Sequence, residues 1–283
     1  MDTDQQRLPH TLATIDGDLR AIGLSVGDTV LVHSSLKQIG YTVGGPQAII
    51  QALMSVVTDV GTIVMPAFTT GYTDPMEWKS PPAPQGWAGV IRASQPPFDV
   101  VATPSEHMGV IAELFRGYPE VRRNTHPVLS YAAWGTEAES VVTGHTLEMM
   151  DGENSPLAHI YDLDGKVLLI GVDYDSCTSI HLATHRQVNP PMTTRSLPSW
   201  DETGRISWNR YRDVLQPPDL AKSVILHKKV GFNDIGAEFE ATGAVKVGRV
   251  GNAESRFFTQ PALVDFATEY FNRHPYADAA LGT

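Results

Sequence analysis

Several protein classes depend on features that this chain has little of. Its 283 residues include one cysteine, Cys177. A lone thiol excludes an intramolecular disulfide and a cysteine-built zinc cluster within one chain, and no metal is expected. Basic residues are few, 21 Lys and Arg against 32 Asp and Glu, for a formal net charge of −11. Nucleic acid and anionic membrane both need a basic face, so neither is an expected partner, whereas a cationic ligand is permitted. No apolar run approaches the roughly 20 residues of a membrane helix. The start, MDTDQQRLPHTL, is polar and acidic with no signal-peptide core, so a cytoplasmic location is expected. No P-loop or dinucleotide glycine fingerprint occurs, which disfavours ATP and NAD.

What is present is an alternation of helical and strand-like patterns without internal repeats. Ile15, Leu19 and Ile22 recur at helical spacing within residues 8–22. A β-type run at Thr29–His33 follows, then GGPQAIIQALMSVV, a helix with Pro46 in its first turn, then the strand GTIVMPAF. Helix, strand, helix, strand reads as a parallel α/β unit. Residues 70–106 are rich in Pro, Gly and Trp and read as a long lid loop. Beyond it come an amphipathic helix in MGVIAELFRGYP, strands in THPVLSYAAWG and KVLLIGV, and a helix in DSCTSIHLATHRQ. A hairpin is expected around Glu202–Gly204, a helix in FNDIGAEFEATG, two strands turning at Gly251-Asn252, and a closing helix after Pro261. The expected architecture is α/β: one compact domain over residues 1–283, a central, mostly parallel sheet flanked by helices, and an antiparallel annex.

The run DSCTSIHLATHR carries the densest chemistry. It follows a strand, and the carboxyl ends of strands are where α/β proteins place ligands. Asp175 or Ser176 can cap the helix. Thr178, His181 and His185 then share one face. Four readings fit these residues: His181 as a general base near a helix start, Cys177 as a nucleophile with a histidine, His181 and His185 as a metal pair, or packing alone. His33-Ser34-Ser35 ends the first strand and belongs to the same rim, where hydroxyls and backbone N–H groups can hold an oxygen. Arg116, Arg122, Arg123 and His126 concentrate positive charge and form the best polyanion site in the sequence. Acidic residues gather in loops and on one helix: Asp74 and Glu77, Asp151 and Glu153, Asp173 and Asp175, then Asp234, Glu238 and Glu240.

The blocks VLVHSSL, GTIVMPAF, TPSEHMGVIAELFR, RRNTHPVLSYAAWG, GENSPLAHIYDLDGKVLLIGVDYDSCTSIHLA and VGNAESR resemble the aminoglycoside 3-N-acetyltransferases, over about residues 10 to 275. The resemblance implies that family's own α/β fold, an acetyl-coenzyme A donor and a polycationic aminoglycoside acceptor. It places the catalytic histidine on His181, an oxyanion donor on Thr178, and His33, Ser34 and Ser35 at the thioester and pantetheine arm. It puts Arg123 and His126 beside the coenzyme. Asp74, Glu153, Asp234 and Glu238 would then hold the acceptor's ammonium groups. Many relatives carry a glutamate three residues after the catalytic histidine, where this chain has Thr184. Asp234 or Glu238 is the expected acidic substitute. The rivals are a Cys177/His181 ping-pong acyltransferase or acyl hydrolase, a transferase for another small amine, and a non-catalytic drug-binding protein. A monomer or a homodimer is expected.

Overall fold

A computed structural model describes residues 8–274, apart from 80, 217–223, 226, 227 and 230. Part of the polar N-terminal stretch read above, residues 1–7, lies outside the described residues. The chain runs through α1 (Leu12–Ile22), β1 (Thr29–Ser34), α2 (Leu36–Ile39), α3 (Gly45–Val57), β2 (Thr62–Pro66), α4 (Ala88–Ser94), α5 (Gly109–Phe115), β3 (Arg122–Arg123) and β4 (Tyr131–Gly135). It continues through α6 (Ala138–Val142), α7 (Pro156–Asp162), β5 (Lys166–Ile170), α8 (Ser179–Arg186), β6 (Met192–Trp200), β7 (Ile206–Val214), β8 (Val224–Ile225) and β9 (Lys228–Lys229). It closes with α9 (Phe232–Glu240), β10 (Lys246–Val250), β11 (Ala253–Thr259) and α10 (Gln260–Arg273).

Seven strands form one sheet in the order β10-β11-β5-β1-β2-β4-β3. The near-continuous apolar runs of β1, β2 and β5 are what a strand buried on both faces requires. Side chains alternate across a strand, so each run feeds two cores. Val30, Val32, Ile63, Met65, Leu168 and Ile170 face α1, α3 and α5. Leu31, Val64, Val167 and Leu169 face α7, α8, α9 and α10. Each fully buried aliphatic side chain contributes about 1.5–3 kcal/mol.

The expectation of a mostly parallel sheet needs correction. Only β1 with β2 and β1 with β5 pair in parallel. The other four pairings are antiparallel. The helical crossovers that parallel pairing needs serve only the centre. The β10–β11 hairpin extends the main sheet by pairing β11 with β5. The annex is the β6–β7 hairpin, paired from Met192 with Val214 to Trp200 with Ile206.

The segment over residues 70–106 is not a structureless lid. It holds short 3-10 turns at Thr70–Tyr72 and Pro75–Glu77 and the helix α4. The annex fastens it: the Trp208 and Trp200 indoles donate to the carbonyls of Arg92 and Gln95, at 3.0 and 3.3 Å. Asp74 accepts three bonds from the Arg92 guanidinium, at 2.6, 2.7 and 3.1 Å.

The sheet positions the site. From β1 the chain moves outward to β2, and it later returns to β5 on the other side, so the order reverses between β1 and β5. His33 lies opposite Leu169 and Ser34 opposite Ile170 in the parallel register. That reversal point is where open α/β sheets leave a crevice for ligands. The turn entering α8 is seated by α9, where a Cβ on Gly236 would stand 2.0 Å from the Tyr174 ring. Gly236→Ala must push α9 off that ring. Overpacking of this kind costs about 1–3 kcal/mol, and thermal or denaturant unfolding should register the loss.

Candidate active site

A cleft of about 640 Å3 opens at the reversal point, lined by His33, Ser34 and Ser35 on one side and by Asp175, Ser176, Thr178 and His181 on the other. Phe68 and the His107–Val110 stretch at the start of α5 complete the wall, and exposed Lys37 stands in the lining. The sequence motifs HSS and T-x-x-H therefore meet in space. Helix α8 starts at Ser179, later than the sequence suggested, after a 3-10 turn at Tyr174–Ser176. Neither Asp175 nor Ser176 caps it. The Asp175 carboxylate instead accepts from the backbone and side-chain amides of Asn233, at 3.3 and 2.8 Å. Thr178 occupies the cap position, and its hydroxyl makes no capping bond. That hydroxyl lies 3.4 Å from His33 Nε2, a long contact between two buried groups. Burial, reinforced by nearby His181, holds the His33 pKa down to about 3, so its ring is neutral at neutral pH.

His181 is held from behind. Its Nδ1 is 2.9 Å from Gln216 Oε1, and the Phe232 ring packs edge-on against it with centroids 5.0 Å apart. Neither Asp234 nor Glu238 takes the place of the missing glutamate. Asp234 accepts from the Gly231 N–H at the start of α9, at 2.9 Å, and Glu238 is exposed on the same helix. Thr184, at the glutamate position, bonds to Gln216 Oε1 at 2.9 Å.

His185 does not form a metal pair with His181. Its Nδ1 meets the His181 carbonyl at 2.9 Å, and its Nε2 meets Asp213 at 3.1 Å. Burial opposes charge on this ring, but the Asp213 bond and neighbouring carboxylates outweigh it and raise its pKa. Arg195 binds the second Asp213 oxygen at 3.0 Å and reaches Glu77 at 3.3 Å. A chain of charges thus runs from α8 through the annex to the 70–106 segment.

Cys177 is 1% exposed. Burial pushes its thiol up to about 12, so at neutral pH it is an un-ionised packing group. Two residues expected beside a coenzyme, Arg123 and His126, do not line this cleft. Arg123 donates to Ser130 Oγ at 2.9 Å and to the carbonyls of Ala67 and Thr103 at 2.7 and 2.5 Å. Its guanidinium is committed to tying the 100–103 loop to the end of β2. His126 is buried, with Nδ1 accepting from the Val128 and Leu129 N–H groups at 3.1 and 2.9 Å. The acidic residues expected at the acceptor fare similarly. Asp74 is locked to Arg92 and Glu153 to Arg186, and neither they nor Asp234 and Glu238 line the cleft.

Sequence reasoning missed three groups. His107 adopts φ +61, a left-handed conformation that is uncommon outside glycine, and lines the cleft. It also borders an adjoining pocket of about 390 Å3 that contains Glu77, Trp78 and Glu106. Glu106 accepts from Gly71 N–H and Thr70 Oγ1, at 2.7 and 3.0 Å. The block TPSEHMG marked this stretch in the sequence, but no pattern singled out these residues. Gln216 carried no signal at all. For Arg123, the geometry predicts that Arg123→Ala lowers the melting temperature and leaves the KM for a coenzyme ligand within about twofold. Unfolding curves and steady-state kinetics on one preparation separate the two effects.

Comparison with known proteins identifies the family. The family model described as aminoglycoside 3-N-acetyltransferase matches residues 31–272. The SPbeta prophage-derived aminoglycoside N(3')-acetyltransferase-like protein YokD of Bacillus subtilis (strain 168) is 43% identical over 264 residues, covering 93% of each chain. The crystal structure of YokD matches at a TM-score of 0.85, covering 94% of this chain and 95% of that one. AAC-IIIb, solved as a binary complex with CoASH, matches at 0.80 with 27% identity, covering 94% and 97% of the two chains. AAC-VIa bound to sisomicin matches at 0.79 with 28% identity, covering 95% and 100%. A family match over residues 31–272 and a 43% identical relative, on a chain whose HSS and T-x-x-H motifs meet in one cleft, establish that this protein belongs to the aminoglycoside 3-N-acetyltransferase family.

Proposed function

We propose that the chain transfers the acetyl group of acetyl-coenzyme A to the 3-amino group of the 2-deoxystreptamine ring of an aminoglycoside, and so confers resistance. The observation that carries this reading is the convergence of His181, Thr178 and His33 on one cleft at the β1/β5 reversal point. The relatives with coenzyme A and with sisomicin support the two ligands. A net charge of −11 suits a polycationic acceptor, which long-range attraction would draw in.

In this mechanism His181 takes a proton from the acceptor ammonium. The freed amine attacks the thioester carbonyl, and the Thr178 hydroxyl donates to the developing oxyanion. Neutral His33, fixed by burial, keeps the Thr178 hydroxyl in place. Collapse of the tetrahedral adduct breaks the carbon–sulfur bond, the departing thiolate takes the proton held by His181, and the new amide nitrogen releases its second proton to solvent. Ser34 and Ser35 border the thioester and pantetheine arm, and Lys37 brings a positive charge for the coenzyme phosphates in place of Arg123. The pocket beyond His107, with Glu77, Glu106 and Trp78, is the place for the acceptor.

Thiol release from acetyl-coenzyme A across an aminoglycoside panel, with NMR assignment of the acetylated nitrogen, tests the reaction. General base catalysis is typically worth about 10²–10⁴-fold. His181→Ala should therefore lower kcat by about 100-fold or more with the melting temperature preserved, and wild-type turnover in that variant would remove His181 from the mechanism. Direct transfer further predicts that Cys177→Ser keeps most activity. An acetylated wild-type enzyme, trapped by mass spectrometry with acetyl-coenzyme A alone, would instead favour ping-pong transfer.

A further inference from the structure

We propose that Gln216 is a positioning residue for this reaction, holding the His181 ring with a neutral amide so that Nδ1 carries the proton and Nε2 is bare toward the cleft. The inference rests on the reading of His181 as the base. Gln216 follows β7 and lies 35 residues from His181 in sequence, yet its side-chain oxygen stands 2.9 Å from His181 Nδ1. It is 7% exposed, so water does not compete for this contact. A second donor converges on the same oxygen: Thr184 Oγ1, at 2.9 Å. That hydroxyl also donates to the His181 carbonyl at 2.6 Å, which accepts from His185 Nδ1 at 2.9 Å as well, so its single proton is shared between the two oxygens. A buried amide oxygen facing Nδ1 holds the ring plane and selects its tautomer. The reverse amide orientation would aim an N–H at Nδ1, put the ring proton on Nε2 and leave no base in the cleft.

The electrostatic setting makes the neutrality matter. From β1, His181 faces buried, neutral His33. One turn along α8 is His185, engaged by Asp213 of β7, which Arg195 of β6 also binds. The turn before α8 offers Asp175, bonded to Asn233, and the start of α5 offers His107. From α9 comes the uncharged ring of Phe232. Among the described residues, the bonded partner of the His181 ring is thus an amide, with no carboxylate on Nδ1 to stabilise the imidazolium.

Two variants and one spectroscopic measurement test this on the intact enzyme. Nitrogen-15 NMR of the wild-type protein should show His181 protonated on Nδ1 at neutral pH. Gln216→Leu should lose that single tautomer and lower kcat about tenfold, with the KM for acetyl-coenzyme A within twofold. Gln216→Glu, nearly isosteric, should recover kcat relative to the leucine variant. An adjacent anion favours the charged ring, so it should also move the acidic limb of the kcat/KM profile upward by about 1 pH unit. A wild-type Nε2–H tautomer, or a Gln216→Glu profile that stays in place, would overturn the proposal even if the leucine variant failed to fold. Full turnover in His181→Ala would instead defeat the base assignment, and the tautomer measurement would still decide whether Gln216 sets the ring.

Discussion

The parallel pairing of β1 with β5 is the constraint on which the site depends. Parallel strands end at the same edge of a sheet, so His33 at the end of β1 and the turn leading into α8 after β5 are delivered to one rim. The Ser35 N–H donates to the Ile170 carbonyl at 2.9 Å and locks the two ends together. A slip of one residue in this pairing would turn His33 to the opposite face and pull it away from Thr178. The deep apolar cores on both faces of the sheet make such a slip costly.

Around this fixed rim, charge is handled by enclosure. His33 and His126 have their pKa values lowered mainly by burial, so these two interior imidazoles are neutral at neutral pH. The arginines, in contrast, act as internal ties. Arg92 fastens Asp74, Arg186 fastens Glu153, and Arg195 bridges Asp213 and Glu77. Arg123 ties backbone carbonyls, with burial lowering its pKa to about 10, which leaves it charged at neutral pH. The result is a segment over residues 70–106 that is structured and clamped against the β6–β7 hairpin, beside the cleft.

The same network reaches α8, which carries His181. His185 closes onto Asp213, and Asp213 binds Arg195, so the β6–β7 hairpin is joined to α8 by buried charges. Breaking one partner of a buried pair leaves an uncompensated charge, which is more costly than losing an exposed bridge. Gln216, just after β7, places the hairpin in contact with His181 itself. The annex is therefore part of the architecture around the cleft.

By itself the sequence determined the types of the strongly patterned elements, because periodicity and glycine or proline punctuation are local. The helices at Leu12–Ile22 and Gln260–Arg273, the strand at Lys166–Ile170 and the hairpin around Glu202–Gly204 all follow from pattern. It also determined that HSS and T-x-x-H belong to strand ends and helix starts, where ligands bind. Tertiary structure alone decided which polar residues face the cleft. Arg123, His126, Asp74 and Glu153 read as ligand-binding because charge and residue type are visible in sequence, whereas their partners are not. Arg123 is taken by Ala67 and Thr103, distant in the chain, and Glu153 by Arg186. For the same reason Gln216 was invisible: a lone glutamine gains meaning only when folding brings its oxygen within 2.9 Å of a histidine 35 residues away.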